Sequence, residues 1–560
     1  MRKKMSKNGL TVQAVAGTNV ALLAMNMSEA DCRGLRGFAI HRTDHTEGEA
    51  YWLQGMRTFA ETDPGLPSGT KHSTLTQPIQ DFSWSDYSAK PGHKYTYRIL
   101  ALKGTPQQLN PVSDISIKVQ TESSKGNGHN VFFNCGAAAS QEFARRFGNR
   151  KPGDVGGDND PAWAWLSRGV HEAIIEFIGR AKKGWGLRVS AYEFRLPSVL
   201  KALREAHDRG ADIQIIYDAG QDFPRDENRK EAALARLDAL CGERIPQPSA
   251  LSHNKFIVLT KGKKAVAVLT GSTNFSDGGV FGQSNVVHVV EDPVIARGYL
   301  ECWQELKANP HRSVLAPKFT SSHPLPDGTL PRGTSMIFSP RSSLDALNFY
   351  VNLAGQAKNG LFMTFAFGMN DLFKPVYRDS QAILRYGLFE QLLGPGVRAD
   401  KKQQATDEMN ALRYMPGNRF AVGSTLPLNR FDSWLGEKLT GLNSHVKYIH
   451  TKYMLVDPLG PDPIVVTGSA NFSAASTNKN DENMIIIRGD KRVADIYLGE
   501  FMRLWDHYNF REWASKKARE SKGKVSAAIA EPWHLDSTDG WWKRYYADTP
   551  HKRHREYFAG

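Results

Sequence analysis

Two stretches of sequence decide the fold. Residues 252–259 read SHNKFIVL and are followed at 271–276 by GSTNFS; residues 449–456 read IHTKYMLV and are followed at 468–473 by GSANFS. The offset from His253 to Gly271 is 18 residues, and so is the offset from His450 to Gly468. Two further pairs keep the same order. AKKG (181–184) matches AKNG (357–360), and ARGYLECW (296–303) matches ADIYLGEF (494–501). His253 precedes Ala296 by 43 residues and His450 precedes Ala494 by 44. Repetition of several motifs at constant spacing is the mark of an internal duplication, so residues 131–330 and 331–515 read as two diverged copies of one unit.

The unit is α/β. PAWAWLSRGVHEAIIEFIGRAKK (161–183) carries apolar residues at helical spacing, LRVSAYEF (187–194) reads as a buried strand, PSVLKALREAHDRG as an amphipathic helix ending at Gly210, and ADIQIIYDAG (211–220) as another strand. The second copy is longer between its first strand and its histidine, and residues 370–445 read there as an insertion for substrate-specific loops. Upstream, residues 9–122 alternate polar and apolar residues between turn-rich breaks and form an all-β sandwich. RGFAIHRTD and FSWSDYSAKPGHKYTYRILAL in it resemble strands of a fibronectin type III, immunoglobulin-like module, a kind of domain that serves as spacer or as surface for a partner. Residues 123–130 are a linker, and 516–560 a basic, aromatic tail. In that tail, WWKRYYADTPHKRHREYFAG (541–560) either packs its rings on the protein or offers them with its cations to nucleic acid or an anionic surface.

Composition bounds the function. The 560 residues are 40% hydrophobic and 23% charged, which is globular, and 72 Lys+Arg against 58 Asp+Glu leave a formal net charge of +14. That excess suits a phosphate-rich partner or is simply a solvated surface. Four scattered cysteines make no metal or redox spacing. With no transmembrane run and a signal peptide the weaker reading of residues 2–25, a cytoplasmic protein is expected, secretion being the alternative.

Chemistry resides in the repeated motifs. His253/Lys255 and His450/Lys452 lie two apart in predicted strands, which puts each pair on one face. An imidazole serves as nucleophile or general acid, and an ammonium beside it holds a phosphate oxygen. The Gly-Ser-x-Asn turns add Ser272 and Asn274 in one copy, Ser469 and Asn471 in the other. Supplied twice, the set suits a phosphodiester passing through five-coordinate phosphorus. His41, His45 and His288 have no such partners and read as structural.

On these residues, His450-Thr-Lys452 with Asp457 five positions past the lysine, GSANFS, and Asn480-Asp-Glu482, the chain resembles the phospholipase D superfamily over about residues 130–515. The first copy departs from the pattern by holding Thr260 where the second holds Asp457, a loss that tyrosyl-DNA phosphodiesterases share. The resemblance implies one active site between two pseudo-symmetric halves, a phosphohistidine intermediate, and neither cofactor nor metal. It also implies a carboxylate contacting a histidine from the position of Glu482. Aligning Asn285 with Asn483 sets Ser284 opposite Glu482, so Glu482 is expected behind His450 as general acid, with His253 as nucleophile. Asp457 supports the site or only closes a turn. The expected substrate is a phospholipid; DNA or RNA is the alternative, and a catalytically degenerate binding protein the second alternative. Oligomeric state is not readable from the sequence.

Overall fold

The structure, a computed structural model, describes the chain apart from residues 67–69, 137–139, 149, 151, 248, 327–328, 380–382, 395, 424–447 and 521–533. The N-terminal part is built from β1 (Arg2–Lys7), β2 (Leu10–Ala16), β3 (Ala21–Asn26), β4 (Leu35–Asp44), β5 (Glu49–Trp52), a short pair β6 (Gln54–Gly55) and β7 (His72–Ser73), β8 (Ser83–Asp86), β9 (Lys94–Thr105) and β10 (Gln108–Gln120). Two four-stranded antiparallel sheets result, in the orders β1-β2-β3-β8 and β10-β9-β4-β5. Alternation decides what faces inward: Tyr95, Tyr97, Ile99 and Ala101 of β9 meet Val12, Ala14, Leu23 and Met25 from the other sheet in one core. The polar-apolar pattern starts this part at residue 9; the lysine-rich β1 lies before it and forms an edge strand on β2.

The two copies build two seven-stranded mixed sheets. The first holds β11 (His129–Phe133), β12 (Trp185–Ala191), β13 (Asp212–Asp218), β14 (Cys241–Arg244), β15 (Lys255–Lys261), β16 (Lys264–Gly271) and β17 (Val286–Val290). The second holds β18 (Gly333–Ser339), β19 (Gly360–Phe365), β20 (Leu384–Phe389), β21 (Asn418–Val422), β22 (Tyr453–Val456), β23 (Ile464–Gly468) and β24 (Glu482–Arg488). Their orders, β11-β17-β16-β15-β12-β13-β14 and β18-β24-β23-β22-β19-β20-β21, are the same walk through the repeat. Strands such as VVHVV and YMLV are buried along their whole length because both sheet faces are covered. Between the sheets lie the closing helices Pro293–Lys307 and Lys491–Glu520, whose Ile295, Tyr299, Tyr497 and Phe501 share one core with Phe256, Phe338 and Tyr453.

Two expectations change, and the alternative left open for the tail is decided. Residues 161–183 make two helices, Pro161–Ser167 and Val170–Gly179, broken where Arg168 and Gly169 take φ of 47° and 94°. The stretch 370–445 is not wholly loop insertion: it supplies β20 and β21, the counterparts of β13 and β14, while 424–447 lie outside the described residues. The aromatic tail is structural. Trp541, Trp542 and Tyr545 are buried in the N-terminal core beside Phe38 and Phe82, and Phe558 and Ala559 of helix Pro550–Ala559 enter the core of the two large sheets. Its Arg555 stacks 4.2 Å from the Tyr546 ring and donates to the carbonyl of Tyr545 at 3.1 Å. Rings that fill cores are not offered to a ligand.

Candidate functional site

The sequence-predicted residues of both copies converge where the two sheets abut. His253 and His450 stand on the approaches to β15 and β22, with ring centroids 6.3 Å apart and planes at 77°. Each strand approach is tied to the opposite repeat: the His253 N–H donates to the carbonyl of Asp481 at 3.0 Å, and the His450 N–H to that of Ser284 at 3.2 Å. Lys255 and Lys452 curl their ammonium groups back onto the carbonyls of His253 (2.6 Å) and His450, as their period-two spacing allows. Both lysines are only 1% exposed, so the site concentrates positive charge away from water. The glycines of the Gly-Ser-x-Asn turns are sterically required, since a Cβ on Gly271 or Gly468 falls 2.2 Å from the carbonyl oxygen of Val286 or Asn483.

Behind each histidine the partners differ. His253 Nδ1 faces both Glu482 carboxylate oxygens at 2.9 Å, and Ser469 donates to the same carboxylate at 2.6 Å. His450 Nδ1 faces Asn285 Oδ1 at 3.0 Å, and Ser272 donates to that oxygen at 2.8 Å. This overturns the expected pairing: Glu482 backs the histidine of the other repeat. It also corrects the alignment by one residue. Ser469 bonds Glu482 and receives the N–H of Asn483, while Ser272 bonds Asn285 and receives the N–H of Val286. Glu482 is therefore the counterpart of Asn285, and Ser284 that of Asp481. The sequence slip arose because two asparagines invited superposition while hydrogen bonding follows the serines.

The Asn285 amide is oriented by donation to the Gly279 carbonyl at 2.9 Å, leaving Oδ1 as the acceptor toward His450. His450 thus carries its Nδ1 proton toward Asn285 and keeps Nε2 for chemistry. His253 and Glu482 hold a proton between Nδ1 and the carboxylate, which likewise frees Nε2. Burial, reinforced by Lys255 and Lys452, holds both imidazoles well below the usual histidine value. Burial pushes Lys255 down to about 7 and Lys452 well below its usual value, and pushes the Glu482 carboxyl up to about 7 against the pull of Lys255. Such a site resists isolated charge and becomes better balanced when an anion enters it.

Other expected residues are placed as follows. Asn274 and Asn471 follow β16 and β23, and the Oδ1 atom of each is buried with no hydrogen-bond partner among the described residues. Asp457 is a turn anchor. With φ of 45° it accepts the N–H groups of Lys358 (2.9 Å), Asn359 (2.7 Å) and Gly360 (2.9 Å), and so pins the entry to β19. Thr260, its counterpart, sits in β15 against Gly186 of β12. His288 lies in a buried chain, 2.9 Å from His129 and 3.0 Å from the Tyr497 hydroxyl. Sequence reasoning missed Asn285 and Tyr192. Tyr192 presents its ring edge-on to His253 at 5.0 Å, with the Lys255 ammonium 5.2 Å from its centroid. The signal for Asn285 was the repeat itself, read from the serines. Among the described residues a cluster with three metal-ligand types occurs at Asp44, Glu47 and His93, at the end of β4, in the turn after it and just before β9.

A family model described as cardiolipin synthase, phospholipase D-like domain matches residues 174–306 and 430–505, the segments that carry both motifs. A phospholipase D of Rickettsia conorii is 28% identical over 141 residues, 25% of this chain and 66% of that protein. The human mitochondrial cardiolipin hydrolase is 28% identical over 83 residues, 15% of this chain and 31% of that protein. The chain thus spans less than two thirds of the length of these curated relatives. A solved phosphatidylserine synthase of Haemophilus influenzae aligns at 10% identity with a TM-score of 0.43, over 65% of this chain and 94% of that one. The segments that carry the duplicated motifs are thus the ones similar to a phospholipase D-like domain.

Proposed function

We propose that the protein is a metal-independent phosphodiesterase working through a phosphohistidine, with a phospholipid as substrate. One observation carries this reading: two His-x-Lys pairs from different repeats meet in one buried site, with a carboxylate behind only one histidine. The Nε2 lone pair of His253 attacks phosphorus, and the bond from phosphorus to the leaving oxygen breaks as that oxygen takes a proton from Nε2 of His450. A water then gives its proton to His450 Nε2 and attacks phosphorus, and the P–N electron pair returns to His253. The roles follow from the partners. Glu482 stabilises the positive charge that grows on His253 as it is phosphorylated, whereas a neutral amide leaves protonated His450 a stronger acid. Lys255 and Lys452 neutralise the non-bridging oxygens, and the bound anion in turn favours protonated His450.

For the phospholipid speak the similarities to proteins named phospholipase D and cardiolipin hydrolase. Burial of Trp541, Trp542 and Tyr545 removes the stacking surface that favoured nucleic acid. The two N-terminal sheets are read as a fibronectin type III-like module on the grounds of their strand order, β2-β3-β8 facing β10-β9-β4-β5. Among the described residues no helix is long and apolar enough to cross a membrane.

The test offers mixed phosphatidyl lipids, DNA and RNA in parallel with EDTA present, and traps labelled enzyme by rapid acid-free denaturation. Phosphatidic acid release that vanishes in His253→Asn is the expected result. Cleavage of nucleic acid alone overturns the lipid assignment, and no turnover of any substrate overturns the enzyme reading.

A further inference from the structure

A second pair of carboxylates repeats across the pseudo-symmetric halves, outside the motifs. Asp218 ends β13 and Glu390 follows β20. Strand register makes them counterparts: Tyr217 pairs with Ala191, Phe389 pairs with Phe365, and each acid is the next residue. Both are buried, at 0% and 4% exposure. Asp218 Oδ1 accepts the N–H of Ser252 at 2.6 Å. Glu390 Oε2 accepts the N–H of Ile449 at 2.8 Å and that of Tyr448 at 3.2 Å. Ser252 and Ile449 are the residues immediately before His253 and His450.

Each histidine is thereby held from both sides of its backbone. Its own N–H is bonded to the opposite repeat, through Asp481 or Ser284, and the preceding N–H to an acid of its own repeat. Short isolated bridges, Ser252 with Asp481 and Ser284 with Ile449, are the only sheet-like pairing at these points among the described residues, so no strand ladder fixes the backbone there. A buried carboxylate is a costly way to satisfy backbone amides, because burial pushes the Asp218 carboxyl up to about 7, with the Ser252 and Gly220 N–H groups and Lys255 opposing the shift and Asp481 adding to it. Its presence in both halves, as Asp in one and Glu in the other, points to a geometric duty that tolerates either length. The groups facing Asp218 are Ser252, Asp481, Lys255 and Tyr192.

We propose that Asp218 and Glu390 are positioning residues of the phosphodiesterase site, tethering the backbone just before His253 and His450 so that both Nε2 atoms address one phosphorus. The inference rests on the reading of the site given above, and deepens it. A misplacement of about 1 Å costs on the order of 10²-fold in rate, so the tether acts on kcat while substrate affinity stays.

The experiment compares Asp218→Asn, which keeps an oxygen acceptor, with Asp218→Val, which removes it. Wild-type turnover of bis(p-nitrophenyl) phosphate, lost in His253→Asn, tests the enzyme reading separately. Asp218→Asn is expected within about 3-fold of wild-type kcat, and Asp218→Val about 10²-fold lower at unchanged KM. A readout independent of turnover is the downfield proton resonance of the imidazole bonded to Glu482, identified by its loss in His253→Asn; it is kept in Asp218→Asn and displaced in Asp218→Val. If Asp218→Val does not fold, Glu390→Leu against Glu390→Gln reads the same tether at His450, with slower cleavage of an alkyl diester and a spared first burst of p-nitrophenolate from the p-nitrophenyl ester, whose leaving group needs no proton, before hydrolysis of the phosphoenzyme limits turnover. An unmoved resonance and full kcat in the apolar variants overturn the proposal, as does an Asn variant as impaired as Val.

Discussion

The two repeats share strand order, helix placement and every hydrogen bond from serine to the partner behind the histidine, and differ at the partner itself. The first histidine, His253, leans on the carboxylate of Glu482, and the second, His450, on the amide of Asn285. Duplication alone yields two equivalent imidazoles, with nothing in the protein to assign attack to one and proton delivery to the other. One exchange of carboxylate for amide separates them, at a cost in symmetry of a single functional group. The comparison teaches that the asymmetry of the site is written across the repeats: each half supplies the group that conditions the histidine of the other.

Breaking the histidines gives the largest effects. His253→Asn and His450→Asn should each lower kcat by about 10⁴-fold or more, since groups acting as a unit fail together. Only His450→Asn should accumulate labelled enzyme from a substrate with a good leaving group, and trapping after mixing checks it. Label in His253→Asn instead reverses the two roles.

Exchanging the conditioning groups comes next. Glu482→Gln should lower kcat by about 10²-fold, yet raise Tm at pH 8. The sign follows from the folded carboxyl being pushed up to about 7 from an ordinary 4.5: its stability contribution is complete below the unfolded value and is lost as pH rises through the folded one. Gln does not titrate, so its advantage should appear across that window and vanish below pH 4.5 in a melting series. Asn285→Asp should make His450 a weaker acid and slow an alkyl diester by about 10-fold while sparing a p-nitrophenyl ester.

A smaller effect tests the ammonium groups. Because burial brings Lys255 down to about 7, kcat/KM should fall as pH rises past that value; in Lys255→Arg the alkaline limb should move upward, as arginine does not deprotonate in this range. A limb that stays in place assigns it to another group, His450 first.

The smallest expected effects concern the position where the repeats differ most visibly in sequence. Asp457→Ala should cost about 1–3 kcal/mol of stability by orphaning three amides, with kcat within about 3-fold. Thr260→Asp should gain no activity, because the residue sits in a strand rather than at a turn. A rate increase there breaks the reading of this aspartate as a turn anchor.

The duplication, the α/β alternation and the residues His253, Lys255, Asn274, His450, Lys452 and Asn471 were legible because repeats at constant offset expose themselves in a single chain. Period-two spacing also made it legible that each lysine joins its histidine. Less was legible in the tail, where interleaved aromatics and cations serve equally well as core and as surface; neighbours such as Phe82 and Tyr386 decide, and they are distant in sequence. The broken helix at Arg168 escaped because apolar periodicity runs through it, although Gly169, a helix-stop residue, stands at the break.

By itself the sequence determined which chemical groups the site contains and that they come in two sets, since motif content and spacing are one-dimensional properties. Only the tertiary structure decided which carboxylate meets which histidine, that Asp457 is a turn anchor, and that Asp218 and Glu390 bond the backbone just before His253 and His450. The physical reason is that these contacts cross between sheets or between strands far apart in the chain. His253 and Glu482 lie 229 residues apart, and a one-residue slip in a β register, invisible in an alignment of two asparagines, exchanges one hydrogen-bond partner for its neighbour on the opposite face.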